Sequence, residues 1–190
     1  MNKYLIVTTL IVLLTAACGG NSSEEAEKKP VTKEGMIADI KQFEDSIKQP
    51  SVQQTRAVSE DYADRCLAIY HAYPKSEEAP QYLDKAHMIY TGAGLHGRAV
   101  VYADTLIRKY PAYKNRPMVL QSLASTYDLF VLPRNTEKVK YYYNLLLEEN
   151  PGMPEEEKEN IRFRIAHADL TFEQLIELQT KELTQNAKKK

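Results

Sequence analysis

The sequence predicts an all-α fold, an α-solenoid in which about seven to eight helices stack as antiparallel pairs. From residue 34 onward, apolar side chains recur at helical spacing. No comparable stretch alternates apolar and polar residues, so a β-sheet is not expected. Three helical patterns end at Tyr73-Pro74, Tyr110-Pro111 and Asn150-Pro151, whose prolines are 37 and 40 residues apart. Periods of that length are typical of helix-pair repeats.

Residues 1–17 are predicted to be an export signal that is removed from the mature chain. Lys3 precedes an apolar run from Tyr4 to Leu14, and three small residues then lead to Cys18. This run is too short to cross a bilayer, which takes about 20 apolar residues. The ending resembles the lipobox of bacterial lipoproteins, with Thr15 where that pattern usually has Leu. The resemblance implies that Cys18 is lipidated and that its acyl chains include palmitate. The alternative is an ordinary secretory signal followed by an incidental cysteine.

Residues 18–33 are predicted to form a lipidated flexible tether, because they contain almost no bulky apolar side chains with which to fold. Gly19 follows the cysteine where some lipoproteins have aspartate, and by resemblance to bacterial sorting rules this implies the outer membrane. The run Ser22-Ser23-Glu24-Glu25 resembles the acidic signal that sends lipoproteins of the Bacteroidota to the cell surface; a solvated acidic linker is the alternative. The expected location is the outer membrane, on its periplasmic face or at the cell surface.

The helical repeat domain is predicted to span residues 34–185, followed by a basic tail at residues 186–190. Its first helix covers about residues 34–48. The next runs from about Val52 to Tyr73, with Ala57 among its inward-facing side chains.

Later helix boundaries are marked by turn and capping residues. Gly92-Ala93-Gly94 predicts a turn between two helices. Glu155, Glu156 and Glu157 follow Pro154, a pattern that suits a helix N-terminus. Thr171 and Gln174 form a capping-box start for a final helix to about Leu183.

The repeated segments resemble tetratricopeptide repeats. Several residues match the small, aromatic and terminal proline positions of that repeat: Tyr90, Ala99, Pro111, Ala124 and Tyr127. His87 stands where a small residue is usual. The sequence of residues 99–111 resembles the divergent repeats in the lipoprotein subunit of the outer-membrane β-barrel assembly machine. The resemblance covers about residues 52–170 and implies a protein that binds other proteins.

Such solenoids present a concave face to extended peptides or partner helices. The repeat register predicts that seven first-helix side chains point into this groove: Gln81, Asp84, Met88, Met118, Gln121, Ser125 and Asp128. Two methionines beside amides and carboxylates would make it adaptable and mildly acidic. The alternative is that these are ordinary solvent-facing positions.

The sequence offers little that points to catalysis. Its four histidines lack metal-ligand spacing, and it has neither a phosphate-binding glycine loop nor a Gly-x-Ser-x-Gly elbow. Cys66 is the only thiol besides Cys18, and its apolar neighbours favour a buried small side chain over a reactive one. We therefore expect no enzyme activity, no metal and no cofactor.

The expected function is that of a lipid-anchored scaffold for a protein partner, within an outer-membrane or periplasmic complex. A net charge of −1 disfavours nucleic acid as the partner. The alternative is a surface-exposed lipoprotein that captures a ligand or glycan on aromatic side chains. The absence of Trp argues against this alternative, whereas 13 Tyr keep it open.

Overall fold

The computed structural model describes residues 32–188, which contain eight helices and no strand. The helices are α1 (Lys33–Ile47), α2 (Arg56–Ala72), α3 (Ala79–Gly92), α4 (His96–Lys109), α5 (Arg116–Leu129), α6 (Thr136–Glu149), α7 (Glu155–Ala166) and α8 (Phe172–Lys188). Each helix from α1 to α6 packs against the next one along the chain. This confirms the predicted all-α fold and is consistent with a repeat solenoid. The predicted signal peptide, Cys18 and the tether up to residue 31 lie outside the described residues.

The three prolines end helices α2, α4 and α6 in the same way. Tyr73, Tyr110 and Asn150 cap these helices with φ between −132° and −124° and ψ between 56° and 68°. A following proline disfavours helical backbone at the residue before it. Each proline then takes the second place of a β-turn, closed by an N–H···O bond of 3.0 to 3.1 Å to the cap carbonyl. Proline suits that place because its φ is already set.

Polar side chains join successive repeats at these turns. The Tyr110 hydroxyl donates to the carbonyl of Pro74, one repeat earlier, at 2.6 Å. The Arg116 guanidinium donates to the carbonyl of Ile107 at 2.6 Å and to the Glu149 carboxylate at 2.5 and 2.8 Å. Arg116 therefore joins the ends of α4, α5 and α6.

Aromatic rings stack inside two consecutive helix pairs. The stacked pairs are Tyr90 on Tyr102, between α3 and α4, and Tyr127 on Tyr142, between α5 and α6. In both, the ring centroids are 5.6 Å apart. In the first helix pair, the Arg65 guanidinium lies 4.6 Å from the centre of the Phe43 ring. Since Arg65, Tyr102 and Tyr142 each lie nine residues before a repeat proline, the repeats share side-chain geometry as well as turns.

The turn between α3 and α4 depends on a glycine. Gly94 has φ of +71°, a left-handed conformation that L side chains adopt at a cost. Its N–H donates to the carbonyl of Thr91 at 3.1 Å, and the next N–H, of Leu95, donates to the carbonyl of Tyr90 at 2.8 Å. These two bonds form a Schellman cap. The turn predicted at residues 92–94 is confirmed.

Two predicted helix boundaries need correction. Helix α2 begins at Arg56 rather than near Val52, because the Thr55 hydroxyl accepts the N–H of Val58 and caps the helix there. Ala57 is consequently exposed in the first turn rather than inward-facing. At the other end, α8 continues to Lys188, so residues 186–188, predicted as tail, are helical.

The last helices are less well packed than the others. Helix α7 follows Pro154 with three glutamates in its first turn, as predicted, but has no buried residue. Helix α8 starts with the predicted capping box, in which Thr171 and Gln174 exchange hydrogen bonds of 2.9 and 3.3 Å. Leu175 is buried, whereas Phe172 and Ile176 are about half exposed.

We expect Gly94→Ala to lower the free energy of unfolding by about 1 kcal/mol, since alanine resists the left-handed conformation. The control is Gly92→Ala, at the last residue of α3. A Cβ at either glycine meets no atom within 4 Å, so both changes act through backbone conformation. Gly92→Ala should raise stability by about 0.5 kcal/mol. Urea unfolding measures both; equal effects would contradict the assigned cap.

Candidate functional site

A cavity of about 420 Å³ lies between helices α3 and α5. We call it the central cavity. Ten residues line it: Asp84, His87, Met88, Thr91, Asn115, Met118, Val119, Gln121, Ser122 and Ser125. Five of the seven residues predicted for the groove are among them: Asp84, Met88, Met118, Gln121 and Ser125. The structure thus places these five together, and their binding of a partner stays a prediction.

The walls of the central cavity are largely apolar and flexible. Met88 and Met118 are 55% and 69% exposed, one on each helix, and Val119 is buried. Methionine side chains are unbranched and polarizable, so they adapt to differently shaped apolar groups. Among the lining residues none is Lys or Arg, and Asp84 is the only carboxylate. The cavity suits a neutral, apolar group.

A chain of hydrogen bonds runs through the polar side of the cavity. Asp84 Oδ1 lies 3.3 Å from Nδ1 of His87, and His87 Nε2 lies 3.0 Å from Oγ of Ser122. The Tyr113 hydroxyl donates to Asp84 Oδ2 at 2.9 Å. Burial and the neighbouring Asp84 carboxylate raise the pKa of Tyr113, so its hydroxyl stays protonated. The chain joins α3 to α5 across the repeat boundary.

The sequence did not identify this chain. His87 appears there only as a departure from the small residue expected in the repeat, and Ser122 and Tyr113 were not singled out. In the structure His87 is 1% exposed, and both ring nitrogens have partners. The sequence did offer one indication of the chain: His87 stands where the repeat usually has a small buried residue. A buried imidazole requires polar partners, so polar side chains were to be expected nearby.

Two further cavities flank the central one and are related by the repeat. The N-terminal cavity, about 470 Å³, is lined by residues that include Pro80, Gln81 and Pro111. The C-terminal cavity, about 440 Å³, is lined by residues that include Pro117 and Pro151. Pro117 lies 37 residues after Pro80, and Pro151 lies 40 after Pro111, which are the two repeat intervals. The same hollow therefore recurs beside successive proline turns.

Shared residues join the central cavity to the C-terminal one, and a hydrogen bond links it to the N-terminal one. Met118 and Gln121 line both the central and the C-terminal cavity. Tyr113 lines the N-terminal cavity, and its hydroxyl is bonded to Asp84 of the central cavity. Gln81, predicted for the groove, is exposed in the N-terminal cavity. Together they form a row, which we call the cavity row.

Asp128 is not part of the cavity row, which corrects its predicted position. Its side chain is 2% exposed and binds two guanidinium groups. Arg164 of α7 donates to its two carboxylate oxygens at 2.5 and 2.8 Å, and Arg134 of the α5–α6 loop donates to the same carboxylate. Arg134 also donates to the carbonyl of Leu170 at 2.5 Å. Asp128 thus connects the last helices to the rest of the domain.

Other candidate groups carry no site. Cys66 is fully buried, and burial raises the pKa of its thiol to about 12, which confirms the small buried side chain expected there. Within residues 32–188 no cluster of three or more His, Cys, Asp or Glu side chains could hold a metal ion. None of the helices in that range has the length and apolar character that a membrane crossing requires.

Comparison of the chain with protein-family models, with curated proteins and with solved structures finds no match.

We expect Asp128→Asn to lower the free energy of unfolding by about 3 kcal/mol, because it leaves two buried guanidinium groups without their counter-charge. Chemical denaturation measures the change. The control is Asp45→Asn, whose partner Lys48 is exposed, as is Asp45 itself. Exposed pairs contribute little, so the control should unfold at the wild-type denaturant concentration. A wild-type unfolding midpoint for Asp128→Asn would contradict a structural role for the pair.

Proposed function

We propose that this protein is a lipid-anchored scaffold of the bacterial cell envelope that binds an extended segment of a partner protein along the cavity row. The observation that carries the proposal is the recurrence of one cavity beside the turns at Pro111 and Pro151, the second of which shares Met118 and Gln121 with the central cavity. A small molecule would occupy one cavity, whereas a polypeptide is itself a repeating chain and matches a row of sites. Binding alone accounts for this role, without a catalytic step.

The row is long enough in sequence to be matched by an extended peptide. An extended chain advances about 10 Å in three residues, so a short segment reaches from one helix layer to the next. Helices α3 and α5 are adjacent, since His87 and Ser122 form a hydrogen bond across them. A peptide laid along the row would therefore present its side chains to successive cavities.

The site is held in place before a partner arrives. Tyr113, Asp84, His87 and Ser122 are linked by hydrogen bonds, and Arg116 fixes the start of α5. A preformed site loses little conformational entropy on binding. The exposed methionines supply local adaptability, which favours a partner recognised by apolar side chains over one recognised by charge.

The proposed location rests on the N-terminal sequence. Small residues directly before Cys18 and a polar segment behind it match a lipid anchor and tether. Gly19 favours the outer membrane by resemblance to sorting signals. A protein of an outer-membrane or periplasmic complex is accordingly the proposed partner, in keeping with the resemblance to tetratricopeptide lipoproteins.

Glycan capture is the second candidate, favoured by two tyrosines in the N-terminal cavity. Tyr110 and Tyr113 line it beside Gln81 and two lysines, a combination of rings and polar groups that suits a sugar. Titration of the protein with envelope oligosaccharides separates the candidates. Saturable binding that is lost in Tyr110→Ala would favour glycan capture.

The scaffold proposal is tested at Met118, which lines two cavities and is mostly exposed. We expect Met118→Asp to weaken partner binding at least about tenfold, because it places a charge in an apolar site. The matched control is Val101→Asp on α4, which is 58% exposed and lines none of the three cavities.

The measurement uses full-length protein with a photo-crosslinking amino acid at position 118 or 101, expressed in the native envelope. Crosslinks at position 118, identified by mass spectrometry, should involve one main partner, and pull-down of that partner should be weakened with Met118→Asp protein and unchanged with Val101→Asp protein. Equal crosslinking from both positions, or none from position 118, would count against the cavity row.

We expect Cys18→Ala to release the protein from the membrane fraction and to abolish incorporation of labelled palmitate. The reason is that the acyl chains supply the membrane affinity, at about 0.8 kcal/mol for each buried methylene. Fractionation and metabolic labelling measure the two effects. The Cys66→Ala variant is the control, since that thiol is buried in the fold. Palmitate labelling that persists without Cys18 would contradict the anchor.

A further inference from the structure

In the hydrogen-bond chain of the central cavity, the residues at the two ends determine which groups donate and which accept. An ionised carboxylate only accepts hydrogen bonds, so Asp84 accepts from Nδ1–H of His87. In the tautomer with the proton on Nδ1, Nε2 carries the lone pair. The Ser122 hydroxyl lies 3.0 Å from Nε2 and in this tautomer can donate its hydrogen to it. This order makes His87 a base positioned to take the Ser122 proton.

Ser122 is also accessible from the cavity. Asp84, His87 and Ser122 all line the central cavity, and Ser122 is partly exposed. His87 is almost fully buried, and its ring is held at both nitrogens. Tyr113 fixes the other oxygen of Asp84 at 2.9 Å. The three groups are therefore preoriented without a bound ligand.

We infer that Ser122 is a nucleophile toward neutral acyl esters that enter the central cavity, with His87 as its base and Asp84 as the residue that orients the imidazole. Nucleophile, base and orienting carboxylate in hydrogen-bonded sequence is the arrangement that activates serine for acyl transfer. The inference concerns the isolated protein and does not depend on a partner binding to the cavity row.

The reaction balances without any group that the protein lacks. Ser122 Oγ forms a bond to the acyl carbon as its proton passes to His87 Nε2. The ester C–O bond then breaks, and His87 returns the proton to the departing alcohol. Water next attacks the acyl-serine, giving its proton to His87; the bond between the acyl carbon and Ser122 Oγ then breaks, and His87 returns the proton to Oγ. The products are a carboxylic acid and the free Ser122 hydroxyl.

The cavity also determines the substrate class. Met88, Met118 and Val119 form apolar walls around about 420 Å³, which suits a short acyl chain. No Lys or Arg lines this cavity, which argues against phosphate esters. Backbone N–H groups inside α5 are bonded within the helix, so the amides of Asn115 and Gln121 are the neighbouring donors for a developing oxyanion.

The test uses the full chain and two probes, a fluorescent fluorophosphonate and p-nitrophenyl butyrate. We expect the fluorophosphonate to label Ser122, identified by peptide mass spectrometry. Ser122→Ala should lose the label and reduce ester turnover to less than about a tenth, within the range that acid–base assistance supplies. Ser46→Ala is the control, since Ser46 is an exposed serine of α1 that lines none of the three cavities.

A second variant tests whether the hydrogen-bond chain activates Ser122 or only stabilises the fold. Asp84→Asn keeps the size of the side chain but lets its amide donate to Nδ1, which turns the protonated nitrogen toward Ser122. Labelling of a folded Asp84→Asn protein should fall at least about tenfold. Absence of label on Ser122 in the wild type, or equal labelling of the wild type and Asp84→Asn, would overturn the inference.

Discussion

The backbone at the residue before each repeat proline is the constraint on which the rest of the structure depends. Proline keeps that residue out of the helical conformation, so α2, α4 and α6 end with nearly the same φ and ψ. The chain then turns through the same hydrogen bond three times. Each turn starts the next helix in the same direction, and α3 and α5 therefore lie side by side. This brings His87 within hydrogen-bond distance of Ser122, which is 35 residues away in the sequence. The cavity row follows from this regularity.

Most of the fold could be predicted because it is encoded locally. The proline turns, the Gly94 cap and the Thr171 capping box each depend on residues within one turn of chain, and all three are present. Asp128 could not be placed in this way. Its position in the helix matches the groove pattern, but its environment is decided by Arg164, 36 residues away. The start of α2 was misplaced because helical periodicity does not specify its cap, which is Thr55.

The residues of the central cavity could be predicted where they follow from local helical register, but not where they depend on contacts between distant helices. Five groove residues follow from helical register alone, whereas the chain from Asp84 through His87 to Ser122 requires two helices to be aligned. Buried polar groups of this kind are stabilising only when every member has a partner. Helices α3 and α5 therefore have one favourable alignment, in which imidazole and hydroxyl meet. Because His87 replaces the small residue usual in the repeat, α3 and α5 are joined by a hydrogen-bonded polar chain.

Helix α7 has no buried residue; Ile161 and Ile165 pack against the core while only partly buried, and the Arg164 guanidinium binds Asp128. In a linear array each layer is stabilised by its neighbours, so an end layer with little apolar burial opens at a lower free energy than the interior. Amide protons near the C-terminus would thus exchange through partial opening while the layers around the central cavity remain closed. The protein would release its last two helices while the central cavity between α3 and α5 stays formed.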